Sequence, residues 1–341
     1  MLYLRVHFTV LIVALLCLGT KAQSVKIGIV DIYGNRSIPS GTIRQTAGVT
    51  DGDSVSQQSL AARKIERSLE KIPGVKLAQT AVICCDNNER YVLFVGIAET
   101  DSSVFTFRKS PTLKIKLPDA YTNAYEHFER RMNEAMLSGQ ATDDWSNGYS
   151  LIKYPPARRV QEKYLRWANA DFDGLRKVLR SSAYDNQRAA AVQIIAYNDD
   201  KSKVVPELIY AIRDENDEVR NNAAKALSAI TYYMTLNPGK IRLPFQPFVR
   251  MINSVVWSDR SKGLAMLVQL SESRNEELFR QLKATSMPSL KEMALWKSES
   301  HARPAFIILA RMAGWADEKI RAVTTGQNFA DEVKKFVDTI E

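Results

Sequence analysis

Asp214 to Ile230 read DENDEVRNNAAKALSAI, and the reading of this stretch decides the reading of the second half of the chain. Five acidic or amide residues open it, Val219 and Arg220 follow, and then alanines and apolar residues recur at helical spacing. A calcium loop of the EF-hand type starting at Asp214 needs glycine at its sixth position and glutamate at its twelfth. The chain has Val219 and Lys225 there. A catalytic carboxylate pair needs a nucleophile, a base or an oxyanion cradle beside it, and the neighbouring sequence offers none. What remains is a turn that starts a packing helix.

The same pattern recurs. Asp185-Asn-Gln-Arg188-Ala-Ala-Ala191 matches Asp217-Glu-Val-Arg220-Asn-Asn-Ala223, then Asp259-Arg-Ser-Lys262-Gly-Leu-Ala265, and more faintly Ser300-His-Ala-Arg303. An apolar helix precedes each copy: Leu175 to Leu179, Val204 to Ile212, Phe248 to Val256. Helix, turn with Asp, then a helix with Arg or Lys in its first turn and small residues facing inward is the signature of stacked helical repeats. The pattern resembles HEAT repeats, most closely over VVPELIYAIRDENDEVRNNAAKALSAI, with the insertion NPGKIRLPFQP as a departure from a regular array. The reading assigns a ladder to Asp185, Arg188, Asp217, Arg220, Asp259 and Lys262. Asp217 caps its helix through free amides and the helix dipole, and Arg220 reaches the turn of a neighbouring repeat. A last helix, Phe329 to Ile340, seals the end of the array.

The chain begins MLYLRVHFTVLIVALLCLGTKAQS. Arg5, an apolar run from Phe8 to Leu18, and Thr20 and Ala22 placed as a cleavage signal requires make residues 1–22 a secretory signal peptide. The run is short of the roughly 20 apolar residues of an anchor, and Leu16 before Cys17 is wrong for a lipoprotein. The expectation is an exported chain, periplasmic or secreted, with no stable membrane insertion after cleavage. Removing the segment leaves 45 basic against 38 acidic residues. With no basic block, that excess argues against nucleic acid.

From Val25 the order is strand, a short helix from Ser40 to Ala47, a second helix carrying Ala61, Ile65, Leu69 and Ile72 and ended by Pro73-Gly74, then strands Lys76 to Cys84 and Arg90 to Ala98. With Gly34-Asn35 after the first strand, Gly52-Asp53 before the second helix, Pro73-Gly74-Val75 after it and Glu99 at the end, residues 23–100 resemble a POTRA (polypeptide-transport-associated) domain. The resemblance implies a sheet whose exposed edge takes up a strand from an envelope protein. Its departures are a single copy and no barrel behind it.

Residues 101–118 alternate apolar and polar positions as a hairpin or linker, and a helix is predicted over Asp119 to Leu137. The fold class is therefore α+β, a β-α-α-β-β domain followed by an all-α solenoid over 119–341. After the signal segment only Cys84 and Cys85 remain. Adjacent strand residues point to opposite faces, so the reading keeps both as thiols, one of them in the core. A soft-metal or redox site is the sharper alternative. Asp143, Asp144 and Trp145 are the one place considered for an unfamiliar enzyme site. With no Ser/His/Asp set, zinc spacing, phosphate loop or HExxH helix in the sequence, the expectation is a non-catalytic exported scaffold without cofactor. Its partners are envelope or secreted proteins.

Overall fold

The computed structural model describes residues 24–61, 63–86, 88–100 and 105–340. The expected signal segment lies outside them. The chain forms two compact units, one of residues up to Phe105 together with Phe248–Glu341, the other of Thr106–Pro247. The helical stretch expected as one array is thus shared between the two.

The first unit starts with β1 (Ser24–Tyr33), α1 (Ser40–Ala47), the short β2 (Ser54–Ser56), α2 (Gln57–Ala61), α3 (Lys64–Leu69), β3 (Val75–Ile83) and β4 (Tyr91–Glu99). The predicted second helix is two pieces, because Arg63 takes a left-handed φ of 51° between them. The sheet order is β2-β1-β4-β3, with β1 parallel to β4 and β3 antiparallel to it. One face carries Val30, Leu93, Val95 and Ile97, and packs on Ile43 of α1 and on Ile65 and Leu69 of α3.

The chain then enters the second unit. Residues 106–118 form no hairpin; they run alongside the helices through single bridges, Arg108 to Asp214 and Leu113 to Ser182. Next come α4 (Asp119–Leu137), a two-residue hairpin of β5 (Asp143–Asp144) and β6 (Leu151–Ile152), α5 (Pro155–Ala170), α6 (Phe172–Ser181), α7 (Asp185–Ile195), α8 (Lys201–Ala211) and α9 (Asp217–Leu236). Buried α7 touches α4, α5, α6 and α9. Ala189, Ala190 and Ala191 let those neighbours approach closely.

After the NPGKIRLPFQP insertion the chain returns to the first unit with α10 (Gln246–Met251), α11 (Trp257–Leu270), α12 (Glu276–Thr285), α13 (Met287–Ala294), α14 (Glu299–Met312), α15 (Asp317–Thr325) and α16 (Phe329–Asp338). Phe329 and Phe336 of α16 meet the ring of Phe306 edge-on. No helix among the described residues is long and apolar enough to cross a membrane.

These returning helices cover the second face of the sheet. Phe94 of β4, fully buried, sits 4.9 Å from Trp296, 5.3 Å from Trp257 and 5.3 Å from His301 between ring centroids. Tyr33 donates its hydroxyl to the Val255 carbonyl at 2.8 Å, and burial raises that phenol's pKa. Asp31 accepts the amides of Lys297 and Ser298 at the start of α14. Burial on both faces explains why β4 reads VLFVGIA without a polar alternation.

Candidate functional site

Three turns in the chain are built alike. Ser182, Asp214 and Ser254 each accept, through the side-chain oxygen, the amide two residues on, from Tyr184, Asn216 and Val256. Each is followed at the third residue by the start of a helix: α7 at Asp185, α9 at Asp217, α11 at Trp257. Six residues past each turn residue stands an arginine that donates back to its carbonyl: Arg188 to Ser182, Arg220 to Asp214, Arg260 to Ser254. The guanidinium thereby satisfies a carbonyl left free where the chain turns.

The acid of the ladder is Asp214. Arg188 and Asp214 are both fully buried and form a two-pronged pair at 2.9 and 2.8 Å, tying one repeat to the next. Arg108 adds a third bond to the same carboxylate while lying 3.8 Å over the ring of Tyr210. The predicted capping role passes from Asp217 to Asn216, whose side-chain oxygen accepts the Val219 amide; Asp217 is exposed in the first turn. Arg220, expected at the turn of a neighbouring repeat, holds the carbonyls of its own turn, Asp214 and Glu215, and stacks over Phe107. Asp185 does make a contact between repeats, accepting from Asn216 at 3.1 Å.

The third copy is registered two residues earlier than expected. Arg260 stands where Lys262 was placed, buried, with Glu292 as its partner at 2.7 Å and the Tyr33 ring 4.5 Å away. Buried Asp259 accepts from Ser254, and Lys262 lies half-buried beyond it. In the fourth copy α14 places Ala302 at the arginine position, and Arg303 pairs within its own helix with Glu299. The spacing of six from a small polar residue to arginine was present in the sequence as a signal; aligning on Asp obscured it.

The first unit has its own candidate surface. The outer edge of β3 is an edge of the sheet, and such edges need management because unpaired backbone groups template further strands. At Ala78 they are managed: Glu70 accepts its amide and Arg63 donates to its carbonyl. The alternation of an antiparallel ladder turns the backbone groups of Thr80 and Val82 the same way. The turn after β1 is fixed by Glu99, whose carboxylate accepts the amides of Arg36, Ser37 and Ile38 and the Ser37 hydroxyl. Burial pushes that carboxyl up, but the Ser37 hydroxyl and the amides outweigh it and hold the pKa down at about 2.

Residues 172–238 match the family model for HEAT repeats. That span covers α6 to α9, the two repeats locked by Arg188 and Asp214. No curated protein and no solved structure matches the chain. The HEAT segment supports a protein-interaction scaffold, since stacked helix pairs present extended binding surfaces.

Two further expectations are placed by the structure away from the HEAT ladder. Cys84 and Cys85 are joined to each other in a disulfide. Strand β3 ends at Ile83, so the alternation argument for two separated thiols stops short of them, and in this form neither offers a thiolate to a metal. In the second unit, Asp143 accepts from Ser150 and pairs with Lys225, and Asp144 accepts the Ser146 amide. The Ser146 hydrogen bonds hold Asp144 below its usual carboxylate pKa. Both carboxylates therefore fasten the hairpin and its surroundings.

His301 gives the covered face of the sheet a pH signature. Burial lowers its pKa to about 4, against about 6.5 for an imidazole in the unfolded chain. Between these values the unfolded chain binds the extra proton, so stability is full above pH 6.5 and falls as the pH drops toward 4. The loss amounts to ~3 kcal/mol by linkage. Denaturation midpoints of the wild type should slope downward across that window, and His301→Gln should flatten the slope. Glu99 adds a separate loss only below about pH 4.5.

Proposed function

We propose that this protein is a non-catalytic scaffold of the cell envelope, exported by its N-terminal segment, which holds one partner on the HEAT segment and a second by strand addition to a POTRA-like sheet. The observation that carries the reading is the sheet order. A parallel β1/β4 pair flanked by β3, with helices on one face, is built from the strand, helix, helix, strand, strand order on which the POTRA resemblance rests, and it leaves β3 as the long edge. The other face is occupied by α11 and α13 and by His301 of α14, so a partner strand has the edge to use rather than the face. An incoming strand pairs with Thr80 and Val82, and displaces Arg63 and Glu70 from Ala78. The partners are envelope or secreted proteins.

The test is a photo-crosslinking residue at Thr80 in intact cells. The wild-type background should yield a partner adduct. Val82→Pro removes one outward amide without breaking a ladder bond and should abolish the adduct, whereas Val82→Ala, which keeps the amide, should retain it. Equal adducts from the proline and alanine variants, or none from the wild-type background, would remove strand addition at this edge from the proposal.

A further inference from the structure

A cleft on the second unit takes no part in the ladder or the hairpin. It lies between α4 and α5, holds about 390 Å³, and is lined by His127 and Arg131 from the first helix and Pro156, Arg159, Val160 and Lys163 from the second. His127 and Arg131 are four residues apart, as are Arg159 and Lys163, so each helix contributes one ridge of basic side chains. No carboxylate lines it.

Of the three cations in the cleft, Arg131 is paired with Glu134, while among the described residues Arg159 and Lys163 are not paired as their neighbours are. Arg131 donates through Nη1 to both oxygens of Glu134 at 2.8 Å and through Nε to His127 Nε2 at 3.3 Å. Those bonds fix its guanidinium at the rim and leave Nη2 unused. Arg159 and Lys163 are exposed, and neither has an ion pair or side-chain hydrogen bond among the described residues. Their neighbours behave differently: Arg158 pairs with Glu162, and Arg176 and Arg180 share Glu207. Like charges gathered around one hollow repel each other, a cost that a bound anion offsets.

We propose that this cleft binds a phosphate-bearing anion carrying at least two negative charges. Arg131 grips it from α4, and Arg159 and Lys163 from α5. A carboxylate brings one charge and two oxygens to two uncompensated cations, Arg159 and Lys163, beside the Glu134-paired Arg131. A phosphate group brings two charges and three oxygens, which suits a guanidinium fork on each wall with a lysine as a point charge. Buried Val160 and half-buried Pro156 give the cleft an apolar part, which admits the remainder of a phosphomonoester or the glycerol region of a lipid headgroup.

The experiment titrates the purified full-length protein with inorganic pyrophosphate by calorimetry, and separately floats it with phosphatidylcholine vesicles with and without phosphatidic acid. Saturable binding of either probe is expected, and the Arg159→Glu, Lys163→Glu double variant should weaken it by about tenfold or more, since each charge-assisted bond is worth that much. Both residues are exposed, and circular dichroism verifies that the variant folds. Lys283→Glu, an exposed lysine of α12, should leave binding unchanged. Pyrophosphate binding without flotation identifies a soluble ligand; flotation that depends on phosphatidic acid identifies a headgroup. The proposal is overturned if neither probe binds, if the double variant binds within twofold of wild type, or if Lys283→Glu weakens binding equally.

Discussion

Arg188→Met is expected to cost about 3–5 kcal/mol, because removing one partner strands a charge that water cannot reach. Asp214 is fully buried and accepts from Arg188, from Arg108 and from the Asn216 amide. Arg108 is 22% exposed, and by itself replaces neither the two-pronged geometry nor the bond Arg188 makes to the Ser182 carbonyl. Pairing the change with Asp214→Leu removes the stranded carboxylate, so the double variant should be more stable than the sum of the single losses by about 2 kcal/mol. Thermal melts followed by circular dichroism measure all four proteins. Additive losses would show that the pair is not a unit, and the HEAT segment would then owe its lock to apolar packing alone.

Gly96→Val should damage the first unit severely. A Cβ at Gly96 falls 2.3 Å from the Val255 carbonyl oxygen and 2.6 Å from the Tyr33 ring. The obstacle is backbone on one side and a buried aromatic on the other, so neither yields as a flexible side chain would. Overpacking of this kind costs about 1–3 kcal/mol or more. Displacing Tyr33 here also breaks its bond to Val255 and its contact with Arg260. The expected result is a lower melting temperature together with loss of the Trp257 and Trp296 tryptophan fluorescence signature of a buried cluster. A Gly96→Val protein with wild-type melting would mean the strand and the helix turn do not meet closely.

Much of this was legible in the residues. The helices Ser40–Ala47 and Asp119–Leu137 fall where the sequence reading places them, and the HEAT copy around Asp217 follows from its period. The misreadings have physical causes. The run VLFVGIA is read from sequence only as a strand; its burial on both sides comes from a cover more than 150 residues further along the chain, in Trp257 and Trp296, which nothing in the run names. The ladder was aligned on Asp because carboxylates mark helix starts. The recurring chemistry instead belongs to a carbonyl and an arginine six residues later, and backbone acceptors are invisible in a sequence. The Cys84–Cys85 bond was excluded by strand alternation, which does not extend beyond Ile83.

A sheet from the start of the chain and helices from its end share one core. Native-state hydrogen exchange in increasing denaturant tests it directly. Amides of β4, Val92 to Ile97, and of α14, Ala305 to Ala310, should open with the same free energy and the same denaturant dependence. If α14 stays protected after β4 has exchanged fully, the two are separate domains in contact, and the claim fails.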